Sequence, residues 1–338
     1  MKSIFINKES KLRSGWAIFF AYILYLLIGA PLTQSMKQMP AFEGYPWLIR
    51  ITQAILLFII AVIFCKFALK ENIQYLGLKE DERWSKNMIL GIMLGGVLTV
   101  FMFLGAIFSE RCILINDLDM PQYSAQMLFG LVSCLMVAIA EEIFYRAYVM
   151  NSLKQVHNPI FIVVVAAMVY SFNYVRGGSG LTFLANITII VFALLLCYMY
   201  YRTESLWLTI GFNFGWRYMG GTIFSLDGTG VYNLKVAQEG LISGGAYGPH
   251  YGILAIVLLL ICFLFINIYV FNIKKMEETK AKMQAEHQKM LEDFKQHKEK
   301  ESKYKCHEDV YEDMYDGFVP IDDMNDEDMD YGSYDDRD

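Results

Sequence analysis

Residues 125–146 read AQMLFGLVSCLMVAIAEEIFYR, an apolar run long enough to lie in a bilayer that ends in two carboxylates and a guanidinium. An ionisable side chain at membrane depth costs a few kcal/mol, so Glu141, Glu142 and Arg146 mark a functional site by default, with pairing or a cavity-facing role expected. On a helix Glu142 and Arg146 are i,i+4 neighbours, and Glu141 points to an adjacent face. One arginine cannot neutralise two glutamates. A second cation, a bound metal ion or a raised pKa on one carboxylate must absorb the remaining charge.

The rest of the chain agrees with a membrane setting. Of its 338 residues 55% are hydrophobic, 15% aromatic and 19% charged, a departure from soluble domains toward polytopic membrane proteins. Eight candidate spans follow: 16–32, 47–69, 88–108, 125–150, 159–175, 182–201, 205–224 and 252–271. The apolar runs are continuous, not alternating, so the expected fold is all-α, a polytopic transmembrane helical bundle and not a barrel.

Lysines and arginines set the orientation. Lys2, Lys8, Lys11 and Arg13 precede the first span, Lys66, Lys70, Lys79, Arg83 and Lys86 follow the second, and Lys274 and Lys275 follow the last. The loops 33–46, 109–124 and 225–251 are poor in both, so both termini are expected in the cytoplasm. The first run lacks a small-residue cleavage site and reads as a retained anchor. The expected segments are a cytoplasmic start (1–15), a transmembrane domain (16–273), a charged helix (274–304) and an acidic disordered tail (305–338).

Within the charged helix Met276, Met283 and Met290 keep one apolar position per heptad, which favours a solvated single helix over a coiled coil. From Glu308 onward Asp and Glu dominate, and the run Asp326 to Gly332 departs from a calcium loop in the place of its glycine. The six cysteines show no paired spacing and read as small buried hydrophobes.

Three spans bring polar groups to one depth. A hairpin apex at His157-Asn158-Pro159 puts Glu142 and Asn173 each about 15 residues away, roughly 23 Å from the turn. Asn213, about ten residues from the turn at Thr203, lies roughly 15 Å into its helix, with Arg217 one turn on. Glu141, Glu142, Arg146, Asn173, Asn213 and Arg217 thus form the candidate site. Buried asparagines also serve as interhelical hydrogen-bond glue, which is the alternative for each taken singly.

At these residues the chain resembles the CAAX protease and bacteriocin-processing family of intramembrane metalloproteases, the group of the type II CAAX prenyl endopeptidases. Glu141, Glu142 and Arg146 match its E-E-x-x-x-R motif. The resemblance runs over residues 125–254, supported by the blocks 202–208 and 210–216 and by the loop 243–249. It implies a membrane endopeptidase in which zinc and a glutamate activate water. The family's F-x-x-x-H falls on Val169 and Asn173, and its H-x-x-x-N on Asn213 and Arg217, so both metal-binding histidines are replaced. An amide is a poor substitute for imidazole on zinc, and Arg217 would repel a divalent ion. Zinc is implied by the resemblance, and the metal content of this chain stays unassigned.

The reading that follows is a degenerate member, binding or regulating a transmembrane or lipidated peptide partner in contact with membrane lipid, with no nucleic-acid partner. An active metalloendopeptidase and a transporter or channel are the alternatives, the latter without an inverted repeat to support it. The expected location is a bacterial plasma membrane.

Overall fold

The computed structural model describes residues 12–42, 45–72, 83–116, 125–175, 182–226 and 230–304, together with Phe5, Leu76, Asp119 and Pro121. The acidic stretch 305–338, Cys306 and the run at 326–332 lie outside the described residues. The chain divides into two units, Met1–Asn272 and Ile273–Asp338.

The first unit is a helical bundle. Its elements are α1 (Ser14–Gln38), α2 (Pro46–Ile63), α3 (Trp84–Phe108), α4 (Ala125–Glu141), α5 (Val149–Leu153), α6 (Pro159–Tyr174), α7 (Thr182–Thr203), α8 (Leu206–Tyr218) and the apolar start of α9 (Ile253–Tyr304). Wider π-helical turns continue α2 at Phe64–Ala68, join α4 to α5 at Glu142–Tyr148, and extend α8 at Met219–Ile223. Among the described residues six helices are long and apolar enough to cross a membrane, where eight spans were expected; Pro159–Tyr174 and Leu206–Tyr218 are shorter. The protein is an all-α polytopic integral membrane protein. Its surface agrees, with large apolar side chains such as Leu27, Phe101, Leu128 and Leu264 exposed, as lipid-facing side chains are.

The hairpin turn between the fourth and fifth expected spans falls at His157 and Asn158. His157 adopts the left-handed conformation, and Asn158 caps α6 by accepting from the Phe161 N–H at 3.1 Å, with Pro159 in the first turn.

The closest helix pair is α3 against α8. In oil there is little hydrophobic drive between apolar helices, so association relies on close packing of small residues. Gly91-x-x-x-Gly95 and Gly211-x-x-x-Gly215 supply it: a Cβ on Gly91 would stand 2.2 Å from the Leu208 carbonyl oxygen, and one on Gly211 2.2 Å from that of Met88. Backbone touches backbone on both sides. This seam positions the helix that carries Asn213 and Arg217.

A small sheet, absent from the sequence expectation, closes one end. β1 (Cys112–Leu114) pairs antiparallel with β3 (Tyr232–Val236), and β2 (Phe224–Ser225) pairs parallel with β3, in the order β1-β3-β2. Asn116 locks the corner, accepting from the Asn233 N–H at 2.8 Å and donating to the Val231 carbonyl at 3.1 Å. These strands are too short to announce themselves by alternation. Their pairing puts the segments after α3 and after α8 on one face, as an even number of crossings between them requires.

Cys65, Cys112, Cys134, Cys197 and Cys262 are buried and free. In the second unit Met276, Met283 and Met290 are exposed.

The seam makes a test. Gly211→Val forces a side chain into the α3 backbone and should lower stability by about 3 kcal/mol or more, beyond ordinary overpacking. Gly15→Ala, at a site with nothing within 4 Å, should be nearly silent. Thermal unfolding of the detergent-solubilised protein compares the two.

Candidate functional site

Glu141 ends α4 and Glu142 begins the π-helical stretch, whose i→i+5 bonding widens the turn; such insertions recur at functional sites. The widened turn lets both carboxylates reach one partner. Asn213 Nδ2 donates to Glu141 Oε2 at 3.0 Å and to Glu142 Oε1 at 2.8 Å. An amide nitrogen has two hydrogens, and here each serves a different glutamate. The same side chain's Oδ1 accepts from Arg217 Nε at 2.7 Å, which fixes which end of the amide is which.

The two cations divide the two anions. Arg217 Nη2 donates to both oxygens of Glu141, at 2.9 and 2.7 Å. Arg146, fully buried, pairs with Glu142 Oε1 at 3.2 Å and lies over the Tyr170 ring at 4.6 Å. The cluster is therefore neutral by geometry. Glu142 Oε2 has no hydrogen-bond partner within normal geometry among the described residues.

The fifth expected span contributes tyrosines. Tyr174 donates its hydroxyl to Glu141 Oε1, and the hydroxyls of Tyr170 and Tyr174 each stand 3.2 Å from Arg217 Nη2. Asn173 is hydrogen-bonded instead to Tyr25, which stands near Glu141 and Arg217. Of the six sequence candidates, Glu141, Glu142, Arg146, Asn213 and Arg217 come together in one network, and Asn173 lies outside it. The depth count from the hairpin apex reaches the right turn of α6, but the side chain that meets Glu141 is the next one along. The missed signal is Tyr170-x-x-x-Tyr174, an i,i+4 pair one residue displaced from Val169 and Asn173.

These donors do not suit zinc. Both oxygens of Glu141 are occupied by a guanidinium, a phenol takes one of them again, and the amide of Asn213 presents its N–H side to the carboxylates. Among the described residues no three His, Cys, Asp or Glu side chains converge to hold a metal ion.

His250 reaches the same region from another direction. Gly244 and Gly248, with φ of +67° and +92°, turn the loop 243–249 sharply and deliver His250 beside Trp216 and Phe103, with ring centroids 5.0 and 5.2 Å away. A Cβ on Gly220 would lie 1.6 Å from the imidazole Cε1, so only glycine allows this approach. Burial pushes the His250 pKa down to about 4, and the ring is neutral.

Residues 123–219 match the family model described as type II CAAX prenyl endopeptidase Rce1-like. The match spans the glutamate pair, both tyrosines, Asn213 and Arg217, and stops short of the loop 243–249. No curated protein and no solved structure matched the chain.

Arg217 carries the test of the site. Arg217→Asn leaves Glu141 buried without its cation, a change that costs about 3 kcal/mol, the lower end of the range for buried pairs because the Arg217 side chain is 26% exposed. Arg217→Lys keeps the charge but loses the Nε bond to Asn213 and should cost less. Chemical or thermal denaturation in detergent gives both values.

Proposed function

We propose that this CAAX-protease-like membrane protein binds, and does not cut, a transmembrane or lipidated peptide partner. The observation that carries the reading is the occupation of Glu141 by Arg217. A catalytic glutamate in a metal-assisted hydrolase must be free to take a proton from water or to hold the ion. Here a fixed positive charge lies against the Glu141 carboxylate and satisfies it without metal. What persists from the family is the apolar bundle around a polar pocket, a setting suited to gripping a membrane-embedded segment.

The proposal extends to placement. The lysine and arginine asymmetry favours both termini in the cytoplasm and residues 225–251 outside, and the membrane we propose is a bacterial plasma membrane. Glu239 is exposed, so Glu239→Cys should react with an impermeant thiol reagent added to intact cells. Labelling only after lysis would reverse the orientation.

Purified protein should carry far less than one zinc per chain and leave a panel of membrane and prenylated peptides uncut. Stoichiometric zinc together with cleavage lost in Glu142→Gln would overturn the reading. The converse variant makes the argument positive. Tyr174→His combined with Asn213→His and Arg217→Asn sets two imidazoles beside Glu141 and should bind zinc measurably in isothermal titration.

A further inference from the structure

The hydrogen bonds of Arg217 use two of its three nitrogens. Nε donates to Asn213 Oδ1, and Nη2 donates to both oxygens of Glu141, with the hydroxyls of Tyr170 and Tyr174 each 3.2 Å from it. Nη1 carries two further N–H groups. Among the described residues it donates to nothing, and it is not one of the enclosed polar atoms that lack a partner. The side chain is 26% exposed and lines a cavity of about 390 Å³ beside the glutamate cluster. The unspent donors therefore open onto that cavity.

A row of rings runs along the same space. Tyr174 stands 4.9 Å from Tyr170, Tyr170 6.2 Å from Phe192 and Phe192 5.4 Å from Trp216, centroid to centroid, and the Arg217 guanidinium lies 5.5 Å from the Tyr174 ring. All five residues line the cavity, which α6, α7 and α8 thus wall together. An apolar wall with a few directed polar groups is what lets a pocket both grip and orient its guest.

Charge and setting choose what Nη1 meets. The ion pair with Glu141 already balances the guanidinium, so the matching group is a neutral acceptor. In a bilayer a continuous helix spends its main-chain carbonyls on its own N–H groups, and carbonyls freed by a break need a donor from a neighbour. Proline makes such a break, because it has no N–H for the carbonyl four residues before it. A guanidinium nitrogen with two unspent N–H groups supplies what an interrupted helix lacks.

We propose that the segment gripped by this cavity is an interrupted transmembrane helix, with Arg217 Nη1 donating to the main-chain carbonyls that the break sets free and the row of rings packing the side chains around it. This partner class rests on the binding function proposed above.

Full-length protein in detergent micelles is offered lysine-flanked transmembrane peptides, acetylated and amidated at their ends, with binding read by energy transfer and integrity by mass spectrometry. A peptide with one central proline should bind at least tenfold more tightly than the same peptide with a continuous Leu/Ala helix. Replacing the amide of the freed carbonyl by an ester, a weaker acceptor, should remove most of that gain, and an ester in an unbroken turn should not. Arg217→Lys, whose single nitrogen is taken by Glu141, should bind the proline and continuous peptides alike. Equal binding of those two peptides by the wild type would overturn the inference and leave the binding function standing. A preference that survives both the ester and Arg217→Lys would mean that something else reads the break, and would overturn it too. A continuous peptide that gains as much from a free terminal carboxylate would make the acceptor an anion, with the same result. Binding of neither peptide would overturn the inference, while retention of a prenylated peptide in the same assay would keep the binding function. Cleavage of the proline peptide would instead overturn the non-cutting reading and leave the carbonyl contact intact.

Discussion

Two adjacent carboxylates in an apolar bundle set the terms for everything around them. Left unpaired, either would cost several kcal/mol or take up a proton. Asn213 is the piece that lets both stay together, because its amide gives one hydrogen to each and still has an oxygen for Arg217. An imidazole at that position has a single N–H to give in its neutral form. Together with Arg217 the asparagine closes a ring of hydrogen bonds and ion pairs around Glu141.

Much of the fold could be read from the chain because lipid imposes simple rules. Continuous apolar runs with punctuated charges are legible as helices, and the hairpin at His157 to Pro159 is legible because proline and a capping asparagine have fixed uses. Two elements escaped. Glycines at 91 and 95 and at 211 and 215 carry the pairing signal, but each four-residue spacing gains meaning only when its partner helix is known. The strands Cys112–Leu114 and Tyr232–Val236 form because chain ends of distant helices meet, which no local pattern encodes.

The site was legible to the level of a turn and not of a residue. Charge in an apolar run exposes Glu141, Glu142, Arg146 and Arg217 whatever the fold. Tyr170 and Tyr174 hide because tyrosine is common in membrane helices and neither charge nor motif flags it. Counting 1.5 Å per residue fixes depth well. Rotation about the axis is another matter, and the α6 side chain that meets Glu141 is Tyr174, one residue past Asn173.

The join between α3 and α8 has a mechanical side. Backbone contact along the glycine seam and the β1–β3 ladder at its end fasten the two helices at two separate places, so that neither can slide or tilt without breaking one of them. Asn213 and Arg217 ride on that fixed beam. The tyrosines opposite ride on α6, a short helix reached through a tight turn and held to Glu141 and Arg217 by hydroxyl contacts. The polar pocket thus lies between that beam and α6, which is braced in turn along α7.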